Sequence, residues 1–374
     1  MRDLPFTRPS LGDAEQQAVR EVLESGWITT GPKTAQFETA LADYLGGGVT
    51  VVSFNSATSG LEAILLAAGI GPGDEVIVPA MSFVATANVV VRVGARPVFV
   101  EVDLVSRNLR VDEVRDALTD RTRAIMPVHF AGRAVDLAPL RELAESHRLL
   151  LIEDAAQAIG SEYEGKRIGA SGNPVCFSFH PNKNITTIEG GAVACRDTAL
   201  LARLRRLRFH GIERDAAGNM DVPEWGGKMN LPDVNAALGL AQLPRLDGFN
   251  ARRRELARRY LTELPDHPAL VLPQEVDGHS WHMFCICLDF EALGTERSAV
   301  QQQLQAVGIG CGIHYPAMHL FSMYQALGYA AGDFPVAERI GTQTLTLPLF
   351  PDMLDEDVTR VCRALMQLLD GATR

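Results

Sequence analysis

The sequence predicts an α/β protein, with a large domain built on a mostly parallel sheet and a smaller α+β domain at its C-terminal end. Between residues 49 and 152, short apolar runs alternate with segments of helical periodicity, which is typical of βαβ units. The composition changes at residues 250–254 (NARRR), where a charged helix begins. We therefore predict an N-terminal arm over residues 1–12, a large domain over 13–249 and a small domain over 250–374.

The arm and the first half of the large domain follow simple local rules. Pro5 and Pro9 exclude helix from the arm. An amphipathic helix is predicted to begin at Asp13, and a second to run from Gln36 to Tyr44. The alternating part that follows has predicted strands at 49–54, 75–79, 97–102, 124–129 and 149–152, and predicted helices at 61–68, 83–93, 111–118 and 137–147.

The second half of the chain is less regular. Four glycines between residues 160 and 172 predict loops, and the polar stretch 210–227 is long enough for a functional or subunit-spanning loop. The remaining predicted strands are 175–179, 192–195, 284–288 and one near 309–313, and the remaining predicted helices are 200–207, 233–246, 298–307 and 355–369.

Composition narrows the class of protein. A formal net charge of -11 argues against a nucleic-acid surface, which needs a concentrated basic face. No apolar run reaches the roughly eighteen residues that would span a bilayer, and the first ten residues lack the apolar core of a secretory signal. The six cysteines are scattered without a CxxC pair, which predicts buried thiols in a reducing cytoplasm and no metal site.

The segment VCFSFHPNKNITTIEGG, residues 175–191, is the first candidate functional element. It begins as an apolar strand, breaks at Pro181 and presents a single lysine, Lys183, before a pair of glycines. Most lysines are solvated surface charges. A lysine that follows a buried strand can instead be partly desolvated, which lowers the pKa of the amine and makes it a nucleophile for carbonyl groups.

Two further features follow predicted strands, where parallel sheets bind their ligands. The segment NSATSG, residues 55–60, opens a helix with small residues whose backbone N–H groups suit an anion such as phosphate; an ordinary helix cap is an equally good interpretation. Asp154 follows the apolar run LLLI, and a carboxylate at the end of a buried strand needs a cationic or proton-donating partner.

A nucleophilic lysine, a buried aspartate and a phosphate loop together predict a site for pyridoxal phosphate (PLP). The aldehyde of this cofactor forms a Schiff base with a lysine, its pyridine nitrogen pairs with a carboxylate, and its phosphate accepts backbone and hydroxyl donors. Each feature is weak alone, and the three reinforce one another in one chain.

Seven segments carry a wider resemblance: GWITTGP, NSATSGLEAILLA, GDEVIVPAMSFVATAN, EDAAQAIGS, FSFHPNKNITTIEGG, NAALGLAQL and GIHYPAMH. In this order, and over nearly the whole chain, they resemble the DegT/DnrJ/StrS family of nucleotide-sugar aminotransferases. The resemblance implies a fold-type I, aspartate-aminotransferase-like subunit that works as a homodimer with active sites at the interface. LPFTRPSLG, SGWITTGP and GKMNLPDVNAA are most similar to the branch that aminates C4 of UDP-linked 4-keto sugars.

The resemblance assigns roles position by position. Lys183 would form the Schiff base and move the proton, and Asp154 would pair with the pyridine nitrogen. Without the resemblance, Phe83 would be an ordinary core aromatic and Ser178 an ordinary turn hydroxyl. The other implied cofactor contacts are Phe83 stacked on the ring, Gln157 near its phenolic oxygen, and Ala57, Thr58 and Ser178 at the phosphate.

Substrate residues are implied by the same resemblance. His314, Tyr315 and His319 match residues that face the sugar nucleotide, although isolated residues of these types are more often packing groups. Thr30 lies in the loop WITTGP, which is either a packed turn or the edge of a ligand site. The amino donor would be glutamate or glutamine.

The chain departs from the common family pattern in two places. Many members have an asparagine followed two residues later by an arginine, where this chain has Lys228 and Asn230. Either residue is expected to reach the phosphate bound by the neighbouring subunit. Ile188 replaces the glycine usual before Glu189, a change that would reshape the sugar pocket.

Other functions remain as alternatives. Within the family these are a C3 aminotransferase acting on a dTDP-3-keto-6-deoxy sugar, and a PLP-dependent sugar dehydratase, which has histidine in place of the lysine. A Rossmann-type nucleotide enzyme would need a GxGxxG turn, which NSATSG is not. A non-enzymatic scaffold would be expected to lose Lys183 or Asp154, and both are present.

Overall fold

A computed structural model of the chain describes residues 3–371. Residues 1 and 2 of the predicted arm, and residues 372–374 of the predicted small domain, lie outside this range. The helices are α1 Asp13–Ser25, α2 Pro32–Leu45, α3 Ala57–Ala67, α4 Ala85–Arg92, α5 Val111–Asp116, α6 Leu137–His147, α7 Thr198–Leu207, α8 Asp233–Gln242, α9 Leu246–Glu263, α10 Arg297–Ala306, α11 Ser322–Gln325, α12 Pro335–Gln343 and α13 Asp355–Gly371. The strands are β1 Thr50–Phe54, β2 Glu75–Pro79, β3 Arg96–Val100, β4 Thr122–Ile125, β5 Leu150–Leu151, β6 Glu153–Asp154, β7 Glu162–Tyr163, β8 Lys166–Arg167, β9 Val175–Ser178, β10 Gly191–Cys195, β11 Glu213–Arg214, β12 Met220–Asp221, β13 Leu270–Val271, β14 Phe284–Leu288 and β15 Thr344–Leu347.

The large sheet is mostly parallel, as predicted. One part has the strand order β3-β2-β4-β5, all parallel, and the other has the order β1-β10-β9-β6. A parallel bridge between Val128 and Asp154 connects the two parts. Strand β10 is antiparallel to both of its neighbours, β1 and β9, so these two strands point the same way. The carboxyl ends of β1, β2, β4, β6 and β9 therefore lie along one edge.

Both faces of this sheet are buried, which explains the uninterrupted apolar runs in the sequence. Along β2, Val76 and Val78 belong to one buried cluster with α3 and α4, whereas Ile77 belongs to a second cluster with α2 and α6. Alternate side chains of a strand point to opposite faces, so two layers of helices cover the sheet. The α/β prediction is confirmed.

The C-terminal part contains an antiparallel sheet of order β13-β14-β15 and a third buried cluster. Leu4 of the arm joins this cluster and pairs with Ile309 in a parallel bridge. The strand predicted near 309–313 is wrong, because this segment makes only isolated bridges, to Leu4 and from Gly312 to Thr346. The predicted domain limit at 249/250 falls inside α9, and the limit stays a prediction.

Within residues 3–371, no helix combines the length and apolarity that crossing a membrane would require.

Candidate active site

A cavity of 410 Å³ opens at the shared edge where the parallel strands end. This volume lies within the range of about 300–1,000 Å³ that is usual for small-molecule sites. Nine of the predicted site residues line it: Ala57, Thr58, Phe83, Asp154, Gln157, Ser178, Lys183, His314 and Tyr315. Residues that we did not assign from sequence complete the lining, among them Ser56, Ser82, Thr86, His180, Asn182 and Glu189.

Lys183 lies in a tight turn, residues 180–184, which we call the lysine turn. Its backbone N–H donates to the His180 carbonyl over 2.8 Å, and the His180 ring is paired with the Asn182 amide. Burial lowers the pKa of the Lys183 amine to about 8, and the negative charge of Asp154 opposes this shift. An amine with this pKa is partly unprotonated near neutral pH, which the nucleophile predicted from sequence requires.

Asp154 is buried at the end of β6, with few compensating donors. Oδ2 accepts from the Thr86 hydroxyl over 2.8 Å, and Oδ1 accepts from the Ala156 backbone N–H over 3.1 Å. Burial raises the pKa of this carboxyl, although both hydrogen bonds and the charge of Lys183 oppose the rise. A carboxylate placed in this way gains from a cationic N–H group in the cavity.

The Gln157 side chain has a fixed orientation. The backbone N–H of Ala131 donates to its Oε1 over 2.7 Å, so the carbonyl end of the amide faces the loop after β4. The amide nitrogen consequently points away from that loop, and Gln157 is buried where it lines the cavity. Gln157 thus presents a hydrogen-bond donor and not an acceptor, which suits the predicted contact with a phenolic oxygen.

The N-terminus of α3 lines the side of the cavity where phosphate is predicted to bind. The Ser56 side chain caps the helix by accepting from the Ser59 N–H over 3.1 Å, so NSATSG is a helix cap, and its binding of phosphate stays a prediction. The N–H groups of Ala57 and Thr58 occupy the first turn, where a helix offers them no carbonyl. Helix ends of this kind bind phosphate, and the Ser178 hydroxyl lies on the same cavity wall.

Gly191 lets β10 pass directly beneath residues 55–57, the loop that leads into α3, which we call the phosphate-side loop. A Cβ atom added at Gly191 would lie 2.4 Å from the Ala57 nitrogen and 2.5 Å from the Ser56 carbonyl carbon. These are backbone atoms, so the loop itself would have to move. The close approach explains why the second glycine of the segment EGG has no side chain.

We expect Gly191→Ala to weaken binding of PLP about 10–100-fold, the cost of losing one hydrogen bond to a charged group. The measurement is a titration of the apoprotein with PLP followed by absorbance. Gly248→Ala is the matched control, because the space around Gly248 is open. An unchanged affinity in Gly191→Ala would contradict the role given to this loop.

Aromatic rings form another wall of the cavity. The rings of Phe83 and Tyr315 lie 5.8 Å apart, and Phe6 of the arm stacks on His314 at 5.1 Å. Burial, together with the charges of Lys183 and Arg107, lowers the pKa of His314 to about 4. This wall is therefore uncharged at neutral pH. Phe83 is 54% exposed, which leaves its ring free to stack on a flat ligand.

Arg107 holds this wall in place, and sequence analysis did not identify it. Its guanidinium group donates to the His314 carbonyl over 3.0 Å and to the Thr344 hydroxyl over 2.8 Å. The residue is buried and has a positive φ of 59°, which is unusual for a side chain of this size. No local sequence signal marks such a residue, because all of these partners are distant in sequence.

Three predicted residues form a hydrogen-bonded chain that is separate from the cavity lining. Lys228 Nζ donates to Asn230 Oδ1, and Asn230 Nδ2 donates to the Thr30 hydroxyl, each over 2.5 Å. The backbone of this segment contacts the phosphate-side loop, because the Asn55 N–H donates to the Met229 carbonyl over 2.7 Å. Their roles stay predictions.

Two other positions singled out from the sequence, His319 and Ile188, lie in different surroundings. His319 is fully buried and bonded to Glu338 over 2.8 Å, outside the cavity lining, so the structure gives no support to its role as a sugar contact. Ile188 has φ of 70° and is 54% exposed, directly before the cavity residue Glu189. Its backbone N–H is held by the Thr186 hydroxyl over 2.9 Å.

The residues present fit PLP. Within residues 3–371 the buried Asp154 carboxylate has no salt bridge, and it lines one cavity with Lys183. An oriented amide, the N–H groups that begin α3 and an exposed aromatic ring line the same space. Lys183 would hold the aldehyde, Asp154 the ring nitrogen and Gln157 the phenolic oxygen.

The lowered pKa of Lys183 predicts how capture of PLP by the apoprotein depends on pH. Only the neutral amine attacks an aldehyde, and its fraction rises with pH until the pKa is passed. The second-order rate, followed by stopped-flow absorbance, should rise up to about pH 8 and then level off. A rise that continues to about pH 10, as for an ordinary lysine, would contradict the assignment.

Comparison with known proteins shows the family of the chain. The family model for the DegT/DnrJ/EryC1/StrS aminotransferase family matches residues 9–366. A putative sugar aminotransferase of Streptococcus pneumoniae, Spr1654 in its apo form, is 31% identical, with TM-score 0.94 and coverage of 100% of this chain and 99% of that one. The same protein has been solved in PLP and PMP forms.

Two more solved structures are comparably similar. DesV of S. venezuelae, in complex with a ketimine intermediate, is 35% identical, with TM-score 0.90 and full coverage of both chains. PseC of Helicobacter pylori, an aminotransferase involved in the biosynthesis of pseudoaminic acid, is 29% identical, with TM-score 0.92 and coverage of 99% and 100%. The chain belongs to the DegT/DnrJ/EryC1/StrS aminotransferase family and is a PLP-dependent sugar aminotransferase of fold type I.

Proposed function

We propose that this enzyme transfers the amino group of glutamate to C4 of a UDP- or dTDP-linked 4-keto sugar. The observation that carries the proposal is the placement of Lys183, Asp154 and Gln157 on one cavity, beside the open N-terminus of α3. The choice of C4 rests on the resemblance of LPFTRPSLG, SGWITTGP and GKMNLPDVNAA to the branch that aminates 4-keto sugars.

PLP, when bound, supplies an aldehyde that condenses with amines and a ring that accepts electrons. Lys183 would serve as the nucleophile toward the aldehyde and, as a free amine, as the base that accepts and returns a proton at its Nζ. A group that donates and accepts protons works best when its pKa lies near the working pH, and a value of about 8 meets that requirement.

Asp154 contributes electrostatically. Its carboxylate would keep the ring nitrogen of bound PLP protonated, so that positive charge would be present where negative charge develops during the reaction. The Thr86 hydroxyl and the Ala156 N–H fix the carboxylate from behind. A preorganised group of this kind does not have to reorient during the reaction.

The sugar is proposed to lie against the wall made by His314 and Tyr315. Both rings line the cavity, and burial keeps His314 neutral while it raises the pKa of the Tyr315 hydroxyl. Neutral rings pack against a sugar ring and offer hydrogen bonds to hydroxyl groups without competing for the charge of the phosphates.

The test is a panel of nucleotide-linked keto sugars assayed with the holoenzyme and glutamate. It contains UDP-4-keto, dTDP-4-keto and dTDP-3-keto sugars, and glutamine replaces glutamate in a parallel series. We expect amination of a 4-keto sugar, detected by mass and matched by release of 2-oxoglutarate. Amination of the 3-keto sugar alone would overturn the choice of C4. Loss of water without use of the amino donor would indicate the dehydratase alternative.

The active enzyme is proposed to be a homodimer with shared sites. Large apolar side chains that a lone subunit leaves exposed include Trp27 at 59%, Met220 at 60% and Trp225 at 62%, and exposed apolar surface commonly marks an interface. Lys228 and Asn230 lie outside the cavity lining of their own subunit, which supports the idea that they serve the partner.

Complementation tests the shared site. Co-expression of Lys183→Ala and Asn230→Ala subunits should restore activity in mixed dimers, since one of the two sites then combines two intact halves. Each variant alone should have less activity than the mixture. The opposite outcome is a mixture that is no more active than the same amount of the Asn230→Ala homodimer. That result would contradict the idea that each active site contains residues of both subunits.

A cytoplasmic location is also proposed, because all six cysteines are free thiols. Cell fractionation with an antibody checks it.

A further inference from the structure

We propose that residues 280–282, which we call the clip, position Lys183 and Gln157 relative to each other, with His282 as the principal positioning residue. The inference rests on the proposed roles of Lys183 and Gln157. The clip lies directly before β14, far from both residues in sequence, and sequence analysis did not identify it.

The clip binds the lysine turn on both sides of Lys183. The His282 ring donates from Nε2 to the carbonyl of Asn182 over 3.1 Å. The Asn184 side chain donates to the carbonyl of Ser280 over 2.9 Å and to Asn250 over 2.6 Å. The residues immediately before and after the reactive lysine are therefore tied to one short segment, which limits the directions in which the turn can move.

The opposite side of the same clip binds the loop that orients Gln157. The His282 backbone N–H donates to the Ala131 carbonyl over 2.9 Å, and the Ser280 N–H donates to the Gly132 carbonyl over 3.1 Å. Ala131 in turn donates to Gln157 Oε1. A continuous series of hydrogen bonds thus runs from the lysine turn through His282 and Ala131 to Gln157.

The close approach between the clip and the loop at Ala131 and Gly132 requires an unusual backbone conformation. Gly132 has φ of 93°, and a Cβ atom there would lie 2.4 Å from the Ser280 hydroxyl and 3.0 Å from the Trp281 nitrogen. Ala131 also has a positive φ, of 53°. Conformations of this kind persist only where the surroundings hold them, and they concentrate at functional sites.

The clip itself is rigidly anchored. Trp281 is fully buried, and its ring stacks on His279 at 4.0 Å with an angle of 3°. The buried guanidinium of Arg253 donates to the His282 carbonyl over 3.1 Å and to the Leu349 carbonyl over 2.8 Å. These contacts fix the clip to α9 and to the segment after β15, so the His282 ring has a firm base.

The chemistry of His282 suits a positioning role and not a catalytic one. The Asn182 carbonyl can only accept, so Nε2 carries the proton and the tautomer is fixed. Burial, with the nearby charges of Lys183 and Arg253, lowers the pKa of His282 well below its usual value. A neutral ring holds the turn without placing a second positive charge beside the lysine amine.

Replacement of the ring tests the proposal. His282→Met removes the donor and keeps an apolar side chain, whereas His282→Gln keeps an amide donor near the position of Nε2. We expect kcat to fall about 10–100-fold in His282→Met, the effect of a small misplacement of reacting groups, with KM for the sugar nearly unchanged. His282→Gln should recover most of the loss.

A spectroscopic readout separates positioning from folding. Absorbance of the holoenzyme is titrated with pH to follow the Lys183-bound cofactor, and its apparent pKa should shift in His282→Met and return in His282→Gln. Tyr260→Phe is the matched control, because Tyr260 is equally buried and its hydroxyl donates to the Pro348 carbonyl away from the cavity. It should lower the melting temperature and leave the titration unchanged.

Two results would overturn the proposal: a wild-type titration and kcat in His282→Met, or the same loss of kcat in Tyr260→Phe. The titration requires no sugar, and the half-reaction with glutamate can be measured alone. Failure of the 4-keto sugar assignment would therefore not affect this test, and the two failures can be told apart.

Discussion

Lys183→Ala is expected to lose activity by roughly a thousandfold or more, because the substitution removes a nucleophile and a base together. Both half-reactions depend on the same amine, so the loss should be seen with glutamate alone and with the keto sugar alone. The measurement is single-turnover absorbance for the first and product mass for the second. The size of the effect follows from the cavity, where no other lysine lines the wall within residues 3–371.

Charge and nucleophilicity can be separated at this position. Lys183→Arg keeps a positive charge opposite Asp154 and should be almost as inactive as Lys183→Ala, because a guanidinium is neither a base nor an aldehyde nucleophile at neutral pH. Lys166→Ala, at an exposed lysine of the β7-β8 hairpin, should behave like the wild type. Near-native turnover of Lys183→Ala would remove the basis of the whole site.

The two strongest sequence predictions concern residues that are chemically unusual where they stand. Lys183 follows a buried strand, and Asp154 ends one, so each conflicts with its surroundings unless it has a function. The parallel sheet was equally accessible, because its strands are buried on both faces and appear as unbroken apolar runs. Unusual residues and unbroken apolar runs can both be recognised in the local sequence.

Contacts between residues that lie far apart in the sequence could not be predicted from it. Thr86 supports Asp154 from 68 residues away, and Gly191 matters only because the loop at Ser56 passes over it. His282 acts across 100 residues on the carbonyl of Asn182. None of these residues differs locally from an ordinary helix threonine, strand glycine or core histidine, so no periodicity or motif can distinguish them.

The strand predicted near 309–313 is the opposite kind of error, because here the local sequence predicted a strand pairing that the fold does not contain. The segment GIGCGI has the composition of an edge strand, but its neighbours provide only one pairing residue each, Leu4 of the arm and Thr346 of β15. A strand needs a partner along its length, and local β-propensity cannot report whether that partner exists. The arm, which supplies half of the pairing, lies about three hundred residues away.

Asp154→Asn is expected to lower kcat about 10²–10³-fold, comparable to removing one preorganised group that stabilises transition-state charge. The amide is nearly the same size and can keep its bond to Thr86, so the cofactor should still bind. It cannot hold a proton on the ring nitrogen as a carboxylate does. The absorbance of the bound cofactor should therefore change along with the rate.

The adjacent residue gives a matched control for this prediction. Glu153 is equally buried but faces the other way, where its carboxylate bonds His129 over 3.1 Å and Asn173 over 3.2 Å. Those bonds outweigh burial and lower the pKa of Glu153, so Glu153→Gln should cost stability. It should leave the cofactor spectrum unchanged, since Glu153 does not line the cavity. If Asp154→Asn kept the wild-type spectrum and a kcat within tenfold, a charged partner for the ring nitrogen would be unnecessary.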